Sequence, residues 1–148
     1  MAEINRQQLI MALIPAGPNP RLAGLDLSAL DMTRLSLEGA NMRGANMQGA
    51  TLRETILRST NMTGVNMMVA QAPFADLNLA NLTAANLTGA NLNGARLTGT
   101  NLTNATLNDA NLQGADMKGA TITGLKFNEK TTWPDGKRGS QGNPASYI

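Results

Sequence analysis

Ala80-Asn81-Leu82-Thr83-Ala84, Ala85-Asn86-Leu87-Thr88-Gly89, Ala90-Asn91-Leu92-Asn93-Gly94, Ala95-Arg96-Leu97-Thr98-Gly99: read in fives, this stretch writes one pattern four times. A small residue, a polar residue and a Leu are followed by a polar residue and a corner residue that is often Gly. With the large apolar residue as the centre of each pentad, the register runs unbroken in both directions. It passes from Leu27 through Met32, Leu37 and Met42 at one end to Met117, Ile122 and Phe127 at the other. Ala72 is the one centre in that run that is not Leu, Met, Ile or Phe. Two residues before each centre stands a smaller residue, most often Ala. Thr55, Thr60, Val65 and Thr100 are near substitutes, and Leu25, Leu30, Leu35 and Leu125 occupy the ends.

A period of five fits no continuous regular element, because a helix repeats its buried face every 3.6 residues and a strand every 2. On a helix, positions five apart turn by about 140° net and would spread Leu and Met around the whole cylinder. The Asn, Thr and Gln between the centres forbid such an all-round apolar helix. A chain that bends once per pentad avoids the conflict. The small residue and the centre, two apart, both point inward as alternate residues of a short extended segment do. The other three face water, and Gly eases the corner. Repeated bends close into coils, and coils stack by parallel pairing into a solenoid.

The A-[DN]-L-x-x pattern of Ala80 to Gly99 resembles the pentapeptide repeat family. The resemblance implies an all-β solenoid, a right-handed quadrilateral parallel β-helix with four pentads to each coil. By that geometry the chain holds about five coils in a rod about 24 Å tall, at roughly 4.8 Å per layer. The expected division is residues 1–20 as an N-terminal capping helix with a Pro/Gly connector, 21–129 as the β-helix, and 130–148 as a C-terminal capping segment with a polar tail.

Composition agrees with one such domain in 148 residues. Two Phe, one Tyr and one Trp would starve an ordinary globular core, whereas ladders of Leu and Met over Ala need no aromatics. Cys is absent, which excludes disulfides and thiolate chemistry. His is absent too, which removes the commonest general base and metal ligand. A formal charge of +2 is too small to advertise nucleic acid or an anionic membrane.

Residues 2–14 read as a short helix, with Ile4, Leu9, Ile10, Leu13 and Ile14 on one broad side and Pro15 as its stop. Laid across the first coil, it hides that coil's unpaired edges. A secretory leader is the other reading, but the apolar run Leu9–Ile14 is short and no basic segment precedes it. With no spanning segment either, a cytoplasmic setting is expected. Folding the chain at 20 residues per coil, the period that the resemblance implies, stacks Asn41, Asn61, Asn81 and Asn101 in one column. It stacks Asn46, Asn66 and Asn86 in another, and hydrogen bonds up and down both columns are expected. After Phe127 the pattern stops. Trp133 is expected at the exposed end of the core with Phe127 and Leu125, and residues 137–148 as a mobile tail.

Uniformity fails in two places. Between residues 64 and 80 the centre shrinks to Ala72, Pro73 follows it, and Met68, Val69, Phe74 and Leu79 replace polar residues or Gly. Pro73 predicts a bulge or loop. Either Phe74 turns inward to fill the space left by Ala72, or Met68, Val69, Phe74 and Leu79 form an apolar surface that meets a partner. The second failure is charge: Arg34, Arg43, Arg53 and Arg58 stand in the first half, where Arg43, Arg53 and Arg58 are candidates for contact with an acidic partner.

No phosphate loop, dinucleotide fingerprint, zinc motif or nucleophile elbow is present. Asp76 and Asp116 share a side of the rod at equivalent positions two coils apart, too far for an acid–base pair and with nothing expected to desolvate either. The sequence therefore points to a protein that is no enzyme and uses no cofactor or metal, a rigid surface for another protein. Whether it stands as a monomer or an end-to-end dimer is left open. The alternative is DNA mimicry against a topoisomerase such as DNA gyrase, as some members of the resembled family practise. Those members are strongly acidic and rich in Phe centres, and this chain is neither.

Overall fold

The computed structural model describes residues 4–148; the start of the helix expected over residues 2–14 lies in part outside them. From Arg21 to Lys126 the residue before each centre pairs through one-residue parallel bridges with its counterparts 20 residues away, as in Asn41↔Asn61↔Asn81↔Asn101. Four pentads thus make a coil with four faces. Face 1 carries the Asn41 column, face 2 the Asn46 column, face 3 Thr51, Gln71, Asn91 and Asn111, and face 4 Ile56, Asp76, Arg96 and Asp116. The bridges are isolated single residues, with no continuous strand between corners.

The hydrogen bonds of one pentad explain its residue preferences. The Leu82 N–H donates to the Asn101 carbonyl (2.8 Å), the Ala84 N–H to the Thr103 carbonyl (2.8 Å), and the Asn81 N–H back to the Thr60 carbonyl (2.9 Å). The Ala85 N–H closes the turn on the Leu82 carbonyl at 3.0 Å. One N–H per pentad is left over, that of the residue after the centre. The Asn81 side-chain oxygen accepts it from Thr83 at 3.0 Å, and Asp or Asn does the same at Asp31, Asn66, Asn91 and Asp116. This local Asx turn is why Asn and Asp precede the centre. Bonds along the column are the lesser part: Asn46 Nδ2 donates to Asp26 and Asn66 Nδ2 to Asn46, each at 3.2 Å.

Pro73 occupies the position whose N–H the ladder does not use, so the expected bulge does not form. The bridges Thr51↔Gln71 and Gln71↔Asn91 keep register on either side of it. Every corner has positive φ, as the third residue of a type II turn requires. Many corners are Gly, but ten are not, among them Val69, Phe74 and Leu79.

Inside, Leu82, Leu102 and the other centres stack in four columns, buried from Leu22 to Met117, with Ala between them. Ile122 ends its column half-buried. Where Thr replaces Ala the hydroxyl is satisfied, as in the bond from Thr100 Oγ1 to the Leu77 carbonyl of the coil before (2.8 Å). Helix α1 spans Arg6–Ala16, opened by a capping box between Asn5 and Gln8. Pro15 lies inside α1 instead of stopping it, and Gly17 ends the helix at φ 72. Leu9 is fully buried, and Ile4 and Leu13 also pack on the core with Leu25, Leu30 and Leu35 beneath. Ile14, expected on the covered side, faces solvent with Met11.

The far end differs from expectation. One extra residue after Phe127 shifts the last bridge to Asn111↔Thr132. Trp133 therefore takes the next centre and is fully buried, while Phe127 turns partly outward at 37% exposure. The Trp133 indole N–H donates to the Gly139 carbonyl (2.8 Å), and its ring meets Phe127 edge-on and stacks on Tyr147. Residues 137–148, expected as a mobile tail, are what covers it, through short 3₁₀ turns at Gly139–Gln141 and Pro144–Ser146.

Candidate interaction surface

The coil of residues 61–80 breaks the regular outer surface. Phe74 does not turn inward toward Ala72; it is 54% exposed, and Val69 and Leu79 are 50% and 66% exposed. Their side chains lean along the rod onto the glycines one coil on. A Cβ built on Gly89 would lie 3.1 Å from Val69 Cγ1, one on Gly94 2.5 Å from the Phe74 ring, and one on Gly99 2.8 Å from Leu79 Cδ2. All three hold positive φ (51°, 59° and 60°), a region L-residues with large or β-branched side chains rarely occupy. The exposed apolar groups thus sit on strained backbone, opposite glycines that leave room for them.

The three corners are successive edges of the prism, so they form a belt and not a single flat patch. Val69 stands between faces 2 and 3, Phe74 between 3 and 4, and Leu79 between 4 and 1. Met68, half-buried on face 2, adjoins Val69. Phe74 and Leu79 flank face 4, where Asp76 is only 8% exposed. Contrary to the sequence reading, that carboxylate is removed from water, and two arginines answer it. Arg58 Nε contacts Asp76 Oδ2, and Arg96 Nη1 reaches the same oxygen at 3.4 Å. Both guanidiniums remain about half exposed. Face 4 between its two apolar edges therefore reads hydrophobe, paired charges, hydrophobe.

Of the basic residues singled out in the sequence, only Arg58 joins this arrangement. Arg53 lies one coil earlier on face 3, paired with Glu54 at 3.2 Å, and Arg34 reaches the same carboxylate at 2.9 Å. The hydrogen bond from Arg34, then that from Arg53, holds Glu54 below the usual carboxylate range. Arg43 is exposed on face 1, away from the face 4 array. Arg96 and Asp76 were not read as surface partners. Folding the sequence at 20 residues per coil already sets them side by side, and that was the signal available.

Among the described residues no group of acidic side chains could hold a metal ion, and no helix is long and apolar enough to cross a membrane. A recess of about 270 Å³ between α1 and the first coil is lined by Leu13, Gly17, Pro18, Pro20, Ser36 and Glu38. Glu38 is its one ionisable group, which gives it no partner for acid–base work.

With four-faced coils and this surface in view, the chain can be placed among known proteins. The family described as Pentapeptide repeats matches in 8 copies over residues 21–58, 31–68 and 85–124. The chain belongs to the pentapeptide repeat family. Among solved structures, it overlays the pentapeptide repeat protein Rfr23 of the cyanobacterium Cyanothece 51142 with a TM-score of 0.76 at 24% identity. That match covers 84% of this chain and 99% of Rfr23, and it bears on the fold alone. A pentapeptide repeat protein from the thylakoid lumen of Arabidopsis thaliana is 33% identical with a TM-score of 0.53, over 63% of this chain and 68% of that one. No curated protein matches the sequence.

Proposed function

We propose that this chain is a non-catalytic interaction module: a right-handed quadrilateral rod whose working surface is face 4 with the edges bearing Phe74 and Leu79. The observation that carries this reading is the placement of Val69, Phe74 and Leu79, more than half exposed or nearly so, at corners where glycine would be unstrained. Exposing them gains the fold little. Contact with a partner would bury the half or more of each side chain still in water and recover roughly 1–2 kcal/mol apiece. The half-exposed Arg58 and Arg96 favour a protein partner whose apolar contact is bordered by carboxylates or carbonyls.

Gyrase mimicry has weaker support. A net charge of +2 opposes the acidic field that imitation of DNA demands.

The test uses the fold's own substitution. Val69→Gly, Phe74→Gly and Leu79→Gly together place glycine where other coils have it, so the variant keeps its coil. A partner co-purifying with the wild type and lost from this variant supports the reading. Undiminished recovery by a normally folded variant refutes it.

A further inference from the structure

The edge between faces 3 and 4 carries Arg34, Glu54 and Phe74 at its corners in three successive coils. Glu54 accepts from Arg34 at 2.9 Å and from Arg53 at 3.2 Å. On face 4, two residues after Phe74, Asp76 accepts from Arg58 and, at 3.4 Å, from Arg96. Each carboxylate is thus shared by two arginines, and each lies deeper than the pair that it holds. The four arginine side chains are 45–72% exposed, against 37% for Glu54 and 11% for Asp76. A molecule approaching this edge meets cations first, with Phe74 next to both clusters.

Two carboxylates for four arginines leave a surplus of two positive charges. The whole chain has a formal charge of +2, so the remainder holds equal numbers of basic and acidic residues. The excess charge is therefore gathered around one exposed ring. Arg53 and Arg58 use only Nε on their carboxylates. The paired Nη groups of both make no hydrogen bond among the described residues, and that planar fork grips a carboxylate by two parallel bonds. A phosphate would satisfy the same fork, and the apolar groups decide between the two. Phe74 rests against Gly94, and around it stand Ile56, Val69 and Leu79, all aliphatic. Single-stranded nucleic acid is held on successive aromatic rings, of which this surface offers one. Aliphatic groups around a single ring suit the side chains of a protein.

Resting on the reading of this coil as an interaction surface, we propose that the edge between faces 3 and 4 binds an acidic segment of a partner protein. Two carboxylates of that segment flank an apolar side chain that packs on Phe74. One carboxylate lies against the Nη groups of Arg53, with Arg34 beside it, and the other against those of Arg58, with Arg96 beside it.

The experiment pans a displayed library of random dodecapeptides against the immobilised full chain at low salt. The enriched peptides are then synthesised and their binding is read by fluorescence anisotropy. They are expected to carry two Asp or Glu with an apolar residue between, and amides in place of both acids should weaken binding about tenfold. Arg53→Gln with Arg58→Gln should cause a similar loss, whereas Arg43→Gln, on face 1, should change nothing. If circular dichroism shows that Arg58→Gln disturbs the coil, Arg34→Gln with Arg53→Gln carries the same test on the more exposed cluster. Enrichment of basic or uncharged peptides, or of none, overturns the proposal. So does a single-stranded oligonucleotide that binds through these arginines more tightly than any acidic peptide. The triple glycine variant tells this failure from failure of the reading beneath it. Uncharged peptides that bind the wild type and not that variant would keep the interaction surface and remove its acidic preference. Acidic peptides held equally by both proteins would remove the apolar contact, and with it both readings.

Discussion

At the scale of single residues, the corner position separates backbone strain from packing. Gly44 has φ 66 and nothing within 4 Å of a Cβ, so Gly44→Ala costs only the left-handed backbone, about 1 kcal/mol. Gly94 has nearly the same φ, but its Cβ would meet the Phe74 ring, so Gly94→Ala costs about 1 kcal/mol more. Combining it with Phe74→Ala should return the loss to the Gly44→Ala level. Thermal melts of Gly44→Ala, Gly94→Ala, Phe74→Ala and the double variant check this; an equal effect of Gly94→Ala with and without Phe74 would contradict the contact. Asp76 gives a second prediction. Asp76→Asn leaves Arg58 and Arg96 without a charged partner and should lower stability by about 1 kcal/mol, because both arginines are half in water. High salt should shrink the difference between the two proteins.

Among the elements, the C-terminal cap reports on itself, since Trp133 is the only Trp. A Cβ on Gly142 would lie 2.2 Å from the indole Cδ1, so Gly142→Ala should push the tail off the ring. The expected sign is a red shift of Trp133 emission with the coils intact by circular dichroism; unchanged emission would mean that the tail does not cover Trp133. The cap also responds to pH. Tyr147 donates to Asp135 Oδ1 at 2.9 Å. Burial first, and then this bond, raises the phenol above its ordinary 10.0. A group that holds its proton more tightly when folded stabilises below its unfolded value and loses that contribution as pH rises past it. Asp135 lies below its ordinary 3.8, chiefly through the Lys137 backbone N–H, so its contribution is present above 3.8 and fades as pH falls below it. Trp133 emission should therefore be flat between these values and shift outside them; a single change near pH 7 would contradict this account of the cap.

For the whole molecule, the spacing of Leu82, Leu102 and Ile122 made the solenoid legible, because only a chain turning once per pentad buries a residue at every fifth position. The ends and the surface were harder to read. One extra residue after Phe127 hands the centre to Trp133, and a pattern read at strict period five cannot register an insertion. Phe74 looked like a filler for Ala72 because the sequence does not show that its position has positive φ, which aims the side chain along the rod instead of into it. Asp76 looked solvated because its neighbours Arg58 and Arg96 are 18 and 20 residues away in the chain. As proposed above, a stiff rod works through one irregular coil. Hydrogen–deuterium exchange of the chain, alone and bound to its co-purified partner, tests that most directly. Added protection should concentrate at residues 69–79 and 89–99, with faces 1 and 2 of the last coils unchanged. Protection confined to α1 or to residues 137–148, with the Phe74 coil untouched, would contradict it.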